Sequence, residues 1–138
     1  MNMPKTLNLQ IVTPEGVAYS EDVELVGLRA VEGQIGILPN HIRLMTQMLP
    51  GEMLVRKEGQ DKFLAVGEGL VEVTSDRVAI LTDMAIAVES IDEAKAEEAR
   101  QRAEARLHEK ISAAEVASVN AAIARSLAQL RVKRRRSK

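Results

Sequence analysis

The side chains that most often carry out chemistry are sparse in this sequence, and their spacing favours no catalytic centre. The two histidines, His41 and His108, lack the histidine four residues away or the paired cysteines that a metal site needs. A small hydrolase using His41 and Asp83 is one hypothesis, but it lacks a nucleophile. The phosphate-loop pattern G-x-x-x-x-G-K-[ST] is also absent. We therefore expect no catalytic residues, no metal site, no required cofactor and a chain that is not an enzyme by itself.

Gly67-Glu68-Gly69 is a pair of glycines at the entry to a predicted strand. Glycine inside a strand pattern is typical of a bulge or of a place where another group comes close to the backbone. We expect this motif to be structural.

Charge is distributed unevenly, although the net charge is only -1. Acidic residues crowd the start of the C-terminal segment: Asp92, Glu93, Glu97 and Glu98. Basic residues crowd its end: Arg131, Lys133, Arg134, Arg135, Arg136 and Lys138. Both groups suit a helix dipole. The basic run is either a solvated chain end or a contact surface for an acidic protein or nucleic acid.

Composition limits the class of protein. The chain has 138 residues, enough for one or one and a half domains, and no cysteine, which fits a reducing compartment. Tyr19 and Phe63 are its only aromatic residues, so the core must be aliphatic. No signal-peptide pattern opens the chain, and no apolar run approaches the length of about 20 residues that spans a bilayer. We expect any membrane contact to be indirect.

Residues 1–88 alternate short apolar runs with glycine, proline and polar turns. Turns every eight to twelve residues, with no helical segment between strands, favour an antiparallel sandwich or barrel over a parallel sheet. We predict eight to ten strands in two packed sheets. Leu44 to Leu49 is ambiguous and suits either a strand or a loose turn.

Residues 89–138 contain no glycine or proline after Ser90 and are rich in alanine, glutamate and arginine. Two S-x-x-E capping boxes, Ser90 to Glu93 and Ser112 to Glu115, predict two helix starts. One apolar stripe is Ala96, Ala99, Ala103 and Leu107, and the second is Val116, Val119, Ile123, Leu127 and Leu130. These stripes favour an antiparallel hairpin. One continuous helix with Ser112 inside it is the alternative.

The stretch Glu32-Gly33-Gln34-Ile35-Gly36-Ile37-Leu38-Pro39-Asn40-His41 closely resembles the signature of the epsilon subunit of F-type ATP synthase. Val12-Thr13-Pro14-Glu15-Gly16 is similar to that family's opening strand and turn. Gly69 to Val73, Val78 to Ala85 and Leu127 to Val132 resemble its last two strands and the end of its second helix. The resemblance covers nearly the whole chain in order.

The resemblance implies a ten-stranded β-sandwich and a two-helix arm. In that family the sandwich sits at the foot of the rotating central stalk and contacts the gamma subunit and the membrane ring of c subunits. The stalk and ring contacts are then expected on one turn that carries Glu32, Gly33, Pro39, Asn40 and His41. The resemblance thus implies a peripheral subunit, expected at the cytoplasmic face of the bacterial plasma membrane, that couples proton transport to ATP synthesis.

The resemblance also implies a regulatory arm. In the family the helices either fold against the sandwich or extend along gamma toward an acidic loop of the beta subunits, with the alpha subunits nearby, and so inhibit ATP hydrolysis. The residues expected to contact that loop are Arg125, Arg131, Lys133, Arg134, Arg135 and Arg136. Some members bind ATP on the hairpin. Here a weak regulatory ATP site is expected at Asp92, Lys95, Arg102 and Arg125, with Lys95 in place of the family's arginine.

Two departures from the family and one rival class bear on this identification. His41 is followed by Ile42-Arg43, where the family usually has a small residue and a proline, so the loop shape is expected to differ. A small nucleic-acid-binding module using the basic tail is the alternative. The scarcity of aromatic stacking platforms counts against it, and we expect no nucleic-acid partner.

Overall fold

The computed structural model describes residues 6–136, which form ten strands followed by two helices. The strands are β1 (Leu7–Thr13), β2 (Gly16–Val23), β3 (Leu25–Ala30), β4 (Gly33–Ile37), β5 (Leu44–Met48), β6 (Gly51–Lys57), β7 (Gln60–Val66), β8 (Gly69–Val73), β9 (Arg77–Thr82) and β10 (Ala85–Ala87). A 3-10 turn at Val88–Ser90 leads into α1 (Glu93–Leu107), and α2 (Ala113–Arg136) follows. The predicted fold, a β-sandwich followed by a helical hairpin, is confirmed.

The strands form because apolar residues recur at every second position and share one face. In β1 the buried residues are Leu7, Leu9 and Ile11, and those between them are only half-buried. The ambiguous segment at Leu44 is a strand because Thr46 and Met48 alternate inward in the same way. These inward faces together make one aliphatic core.

The hydrogen-bonded order of the strands is β10-β7-β6-β3-β5-β8-β9-β1-β2, and β4 pairs with β3. Between β3 and β5 the paired residues are Ala30 and Met48, so the sheet turns sharply there and its two halves face each other across the core. All strand pairs are antiparallel except β1 and β9, which run parallel from Asn8 and Arg77 onward. The antiparallel prediction missed this pair, because β1 and β9 are far apart in the chain.

The first helix does not begin as predicted. Ser90 ends the 3-10 turn, and the residue that caps α1 is Asp92, whose carboxylate accepts a hydrogen bond from the amide of Lys95 at 3.1 Å. Ser90 cannot act as the cap because buried Ile91 stands between it and Asp92 in an extended conformation. The predicted capping box at Ser90 is therefore wrong.

The second helix begins where its capping box predicts. Ser112 Oγ accepts a hydrogen bond from the amide of Glu115 at 3.2 Å, and residues 108–112 turn the chain back. The helices are thus a hairpin and not one continuous helix. Arg106 pairs with Glu115 across the turn at 2.6 Å, and Arg134 pairs with Glu93 at 2.6 Å at the other end, so α1 and α2 are antiparallel.

Helix α2 lies between α1 and the sandwich and uses more than one face. The predicted stripe is half-buried from Val116 to Leu127 and fully buried at Leu130. Ala128 and Val132, outside that stripe, are buried against the sandwich with Ala65 and Met84. This second contact face is built from small residues, and it was not predicted.

Candidate functional site

Glu32 and Gly33 form the tip of the hairpin between β3 and β4. Gly33 has φ +125°, a conformation that favours glycine, and it pairs with Ala30 to close the turn. The Glu32 carboxylate accepts a hydrogen bond from the hydroxyl of buried Thr46, with 2.7 Å between Oγ1 and Oε2. Glu32 is therefore exposed but held in place by β5.

Pro39, Asn40 and His41 lie in the loop that leads from β4 to β5. The amide of Asn40 donates to Ser75 O at 2.7 Å, and its φ of +67° is one that asparagine tolerates. His41 Nδ1 lies 2.7 Å from Ile42 O, and because a carbonyl oxygen only accepts, Nδ1 carries the proton. Ile42 is 79% exposed, so this loop presents an apolar side chain outward.

The predicted rotor contacts therefore do not share one turn. Strand β4 separates Gly33 from the Pro39–His41 loop, and five residues of strand span roughly 16 Å. The expectation of a single turn is wrong because Gly33 to Ile37 is an extended strand and not a turn. The two groups lie at opposite ends of β4, and their contacts with partner subunits remain a prediction.

A row of apolar side chains crosses the outer face of four strands. Val12 pairs with Val17 on one side and with Leu81 on the other, and Leu81 pairs with Leu70. Val17, Leu81 and Leu70 are 60%, 58% and 57% exposed. A cleft of about 520 Å³ runs along this outer apolar row. The sequence analysis did not find the row, because it forms only when the register of all four strands is known.

The arm contacts the sandwich through a small apolar cluster. Its buried members are Ala65 and Met84 from the sandwich, Ile91 from the linker, and Ala128 and Val132 from α2. Two of the five are alanines, so the apolar surface that holds the arm is limited. Polar contacts surround this cluster.

The first polar contact joins Asp83 to Arg125 at 2.9 Å. Asp83 Oδ2 accepts this bond, whereas Asp83 Oδ1 is buried without a hydrogen-bond partner in residues 6–136. A Cβ at Gly67 would lie 1.7 Å from that oxygen, so only glycine fits. The expectation of a close approach at Gly67-Glu68-Gly69 is confirmed, since a Cβ at Gly69 would likewise lie only 2.2 Å from Leu81 O.

The second polar contact fixes the end of α2. The Arg136 guanidinium donates to both oxygens of Glu52 at 2.6 and 2.9 Å, and it stacks 3.5 Å from the centre of the Phe63 ring. The hydrogen bond to Glu52 raises the pKa of Arg136 above its ordinary value. Bidentate pairing with a carboxylate is the geometry that distinguishes arginine from lysine.

The rest of the basic run is engaged to different degrees. Arg134 pairs with Glu93, the Lys133 ammonium donates to Val88 O at 3.3 Å, and Arg135 lies 3.8 Å from Glu52. The Arg131 side chain has no hydrogen bond or ion pair within residues 6–136. In this arrangement most of the run faces the protein's own carboxylates, and Lys138 lies outside the described residues.

Two of the four residues expected to bind ATP already have partners. Asp92 caps α1 and Arg125 pairs with Asp83, while Lys95 and Arg102 are exposed on α1. The ATP site remains a prediction.

Residues 6–136 hold no cluster of three or more histidine, cysteine, aspartate or glutamate side chains that suits a metal. Among the described helices, none is long and apolar enough to cross a bilayer.

The chain matches two profiles from one protein family. Residues 6–88 match the ATP synthase delta/epsilon chain beta-sandwich domain, and residues 89–134 match the long alpha-helix domain of the same family. The ATP synthase epsilon chain of Bacillus subtilis is 45% identical over 104 residues, covering 75% of this chain and 79% of the relative. That of Bacillus licheniformis is 38% identical over 130 residues, covering 94% and 99%.

Solved structures agree with these matches. A chain of the Euglena gracilis mitochondrial ATP synthase, solved by cryo-EM as OSCP/F1/c-ring, aligns with TM-score 0.70 and 25% identity over 90% of this chain and 79% of its own. A chain of the Tetrahymena thermophila mitochondrial ATP synthase central stalk and c-ring aligns with TM-score 0.64 and 11% identity, over 96% and 99%, which supports the fold alone. These comparisons give the nucleic-acid alternative no support.

Proposed function

This chain belongs to the epsilon family of F-type ATP synthase subunits, and we propose that its sandwich docks to the enzyme's central stalk while its arm restrains ATP hydrolysis. The observation that carries the proposal is the way the arm is attached. It lies on the sandwich through one small apolar cluster and a few ion pairs, whereas the main core consists of strand residues alone. A switch requires two packings that differ by only a few kcal/mol, and such a limited interface suits it.

The docking function belongs to residues 1–88. The outer apolar row at Val12, Val17, Leu70 and Leu81 is a suitable contact for the gamma subunit, since contiguous exposed apolar patches mark interaction sites. The Glu32–Gly33 tip and the Pro39–His41 loop, at the two ends of β4, offer separate contacts, and we assign one of them to the c-ring. The chain is then a coupling subunit without catalysis of its own, held at the cytoplasmic face of the membrane by its partners.

The inhibitory function belongs to residues 89–138. When α2 leaves the sandwich, Arg125 and Arg136 lose their partners Asp83 and Glu52. Freed cations at the end of α2 are attracted to acidic surfaces, and the acidic loop of the beta subunits is the proposed target. Competition between the sandwich carboxylates and that loop for the same arginines sets the position of the arm.

The test is to remove residues 90–138 and measure ATP hydrolysis by the assembled enzyme. We expect the sandwich to remain in the complex, because its core contains no arm residue, and hydrolysis to rise. Co-purification with the complex is the control for assembly. A truncated subunit that assembles and leaves hydrolysis unchanged contradicts the inhibitory role but not the docking role.

A further inference from the structure

A cleft of about 340 Å³ lies where the end of α2 crosses strands β3 and β4 and the start of β6. Three arginines line it, Arg29 from the sandwich and Arg131 and Arg135 from α2, with the amide side chain of Gln34 beside them. Glu52 is the acidic residue among its lining. The cleft is therefore built by both halves of the protein, and it is separate from the residues expected to bind ATP.

The donors come in two pairs, one from the sandwich and one from α2. Arg29 and Gln34 are direct neighbours in the β3–β4 ladder, and both are exposed. Arg29 points away from the core because Leu28 and Ala30, on either side of it, are buried. Arg131 and Arg135 are four residues apart, so they lie one turn apart on the same side of α2.

The positive charge in this cleft is not balanced by the protein. Glu52 is already bound by two nitrogens of Arg136, Nε and Nη2, and Arg135 reaches it only at 3.8 Å. The side chains of Arg29 and Arg131 have no acidic partner within the part of the chain that the structure describes. Three arginines thus line the cleft together with one carboxylate, which a fourth arginine, Arg136, already neutralises. Arg131 and Arg135, which are four residues apart on α2, carry like charges that repel each other. An anion bound between the arginines removes this repulsion.

We propose that this cleft binds a small phosphate oxyanion, inorganic phosphate or pyrophosphate, and that the bound anion holds the arm against the sandwich. The planar fork of arginine matches phosphate oxygens, and a guanidinium–phosphate hydrogen bond is stronger than one between neutral groups. The volume of about 340 Å³ is large enough for either anion together with bound water.

Binding and arm position are coupled by the construction of the site. Arg29 and Gln34 stay with the sandwich when α2 leaves, whereas Arg131 and Arg135 move with it. An anion that needs both pairs binds the packed state and shifts the equilibrium toward it. Binding requires only the packed arrangement described above. Its consequence for hydrolysis, relief of inhibition by phosphate, rests on the proposed function of the arm.

The experiment titrates the full-length chain with sodium phosphate and with sodium pyrophosphate by calorimetry at fixed ionic strength. Arg29→Gln and Arg131→Gln test the two sides of the cleft. Arg77→Gln is the matched control, since Arg77 is an exposed arginine at the start of β9, outside the cleft. We expect saturable binding that weakens by about tenfold in each cleft variant and is unchanged in Arg77→Gln.

A second measurement follows the arm by limited trypsin digestion of the basic end of α2. Pyrophosphate should slow cleavage there in the unmodified chain and in Arg77→Gln, but not in Arg29→Gln, which keeps every cleavage site of α2.

The absence of saturable binding, or equal affinity in Arg29→Gln, overturns the proposal. Loss of binding only in Arg131→Gln places the anion on the helix alone and overturns it too. Arg102→Gln changes one of the residues expected to bind ATP. Loss of anion binding in Arg102→Gln but not in Arg29→Gln places the anion on the helical hairpin and also overturns the proposal. These results come from the isolated chain, so they are independent of the hydrolysis assay.

Discussion

The carboxylate of Asp83 and the guanidinium of Arg125 are 2.9 Å apart, although 42 residues separate them in the chain. Asp83 stands just beyond the last residue of β9, and Arg125 is in the middle of α2. Both side chains are about one-third exposed, so the pair is partly shielded from water. It ties the middle of the arm to one end of the sandwich, while the Arg136–Glu52 contact ties the end of the arm.

Asp83→Asn should loosen the arm without unfolding the sandwich. The variant loses a charge-assisted hydrogen bond, and we expect a cost of about 1 kcal/mol in the packing of α2. Trypsin cleavage within α2 should become faster, and Asp22→Asn, on an exposed part of β2, should leave it unchanged. A double-mutant cycle with Arg125→Gln measures the pair itself. A coupling energy of zero in that cycle would mean that the contact does not hold the arm.

Gly67→Ala should weaken the same contact from the other side. Its methyl group would occupy the place of Asp83 Oδ1, so the carboxylate must move, at a cost of about 1–3 kcal/mol. Gly36→Ala is the matched control, since the nearest atom to a Cβ there is Leu25 Cδ1 at 3.8 Å. Chemical denaturation gives the free energy of unfolding of each variant.

The double variant Gly67→Ala/Asp83→Ala separates the clash from other effects of alanine in this turn. Removal of the carboxylate makes room for the methyl group, so the cost of Gly67→Ala should be much smaller in the Asp83→Ala background. An equal cost in both backgrounds would place the clash elsewhere.

Leu81→Gln should impair assembly and leave the fold intact. Leu81 is 58% exposed at the centre of the outer apolar row, so little apolar burial is lost when it becomes polar. We expect an unchanged melting temperature and at least tenfold weaker binding to a complex that contains the gamma subunit. Leu107→Gln, at the exposed end of α1, is the control and should bind normally. Normal binding by Leu81→Gln excludes the outer apolar row as the docking surface.

Tyr19 provides a residue-specific test of the core, because it is the only tyrosine of the chain. Burial raises the pKa of its hydroxyl from 10.0 to about 12. The folded state therefore favours the neutral phenol. Its contribution to stability is complete below pH 10 and is lost as the pH rises toward 12. Ultraviolet absorbance should show tyrosinate forming near pH 12 in the folded protein and near pH 10 in denaturant. Titration near pH 10 in the folded state would contradict the packing of half-buried Tyr19 against the core.

Much of the fold could be predicted because its signals are local. Alternation in β1 and the turn at Pro14-Glu15-Gly16 lie within a few residues, and the Ser112 cap needs only the amide of Glu115. The prediction of the first helix start failed because two local signals, a capping pattern and an apolar residue, lie side by side at Ser90 and Ile91. Ser90 matches the capping pattern as well as Ser112 does, but Ile91 is drawn into the apolar cluster and moves the helix start to Asp92.

The candidate site was harder to predict because its residues come from distant parts of the chain. The basic run was identified, but nothing near it in the chain indicates that Glu52 and Asp83 are its partners. Arg136 and Glu52 are 84 residues apart, and their pairing requires the finished sandwich and the turn of the hairpin. The outer apolar row has the same origin, since it combines four strands.

By itself, the sequence determined which segments are strands, where the helical arm begins to within two residues, and which family's signature the chain carries. Only the tertiary structure decided that the five residues of β4 separate Glu32 from the His41 loop, that β1 pairs in parallel with β9, and that Arg125 meets Asp83. The physical reason is the range of each interaction. Periodicity and capping act over a few residues, whereas pairing and charge contacts depend on which surfaces the packed core brings together.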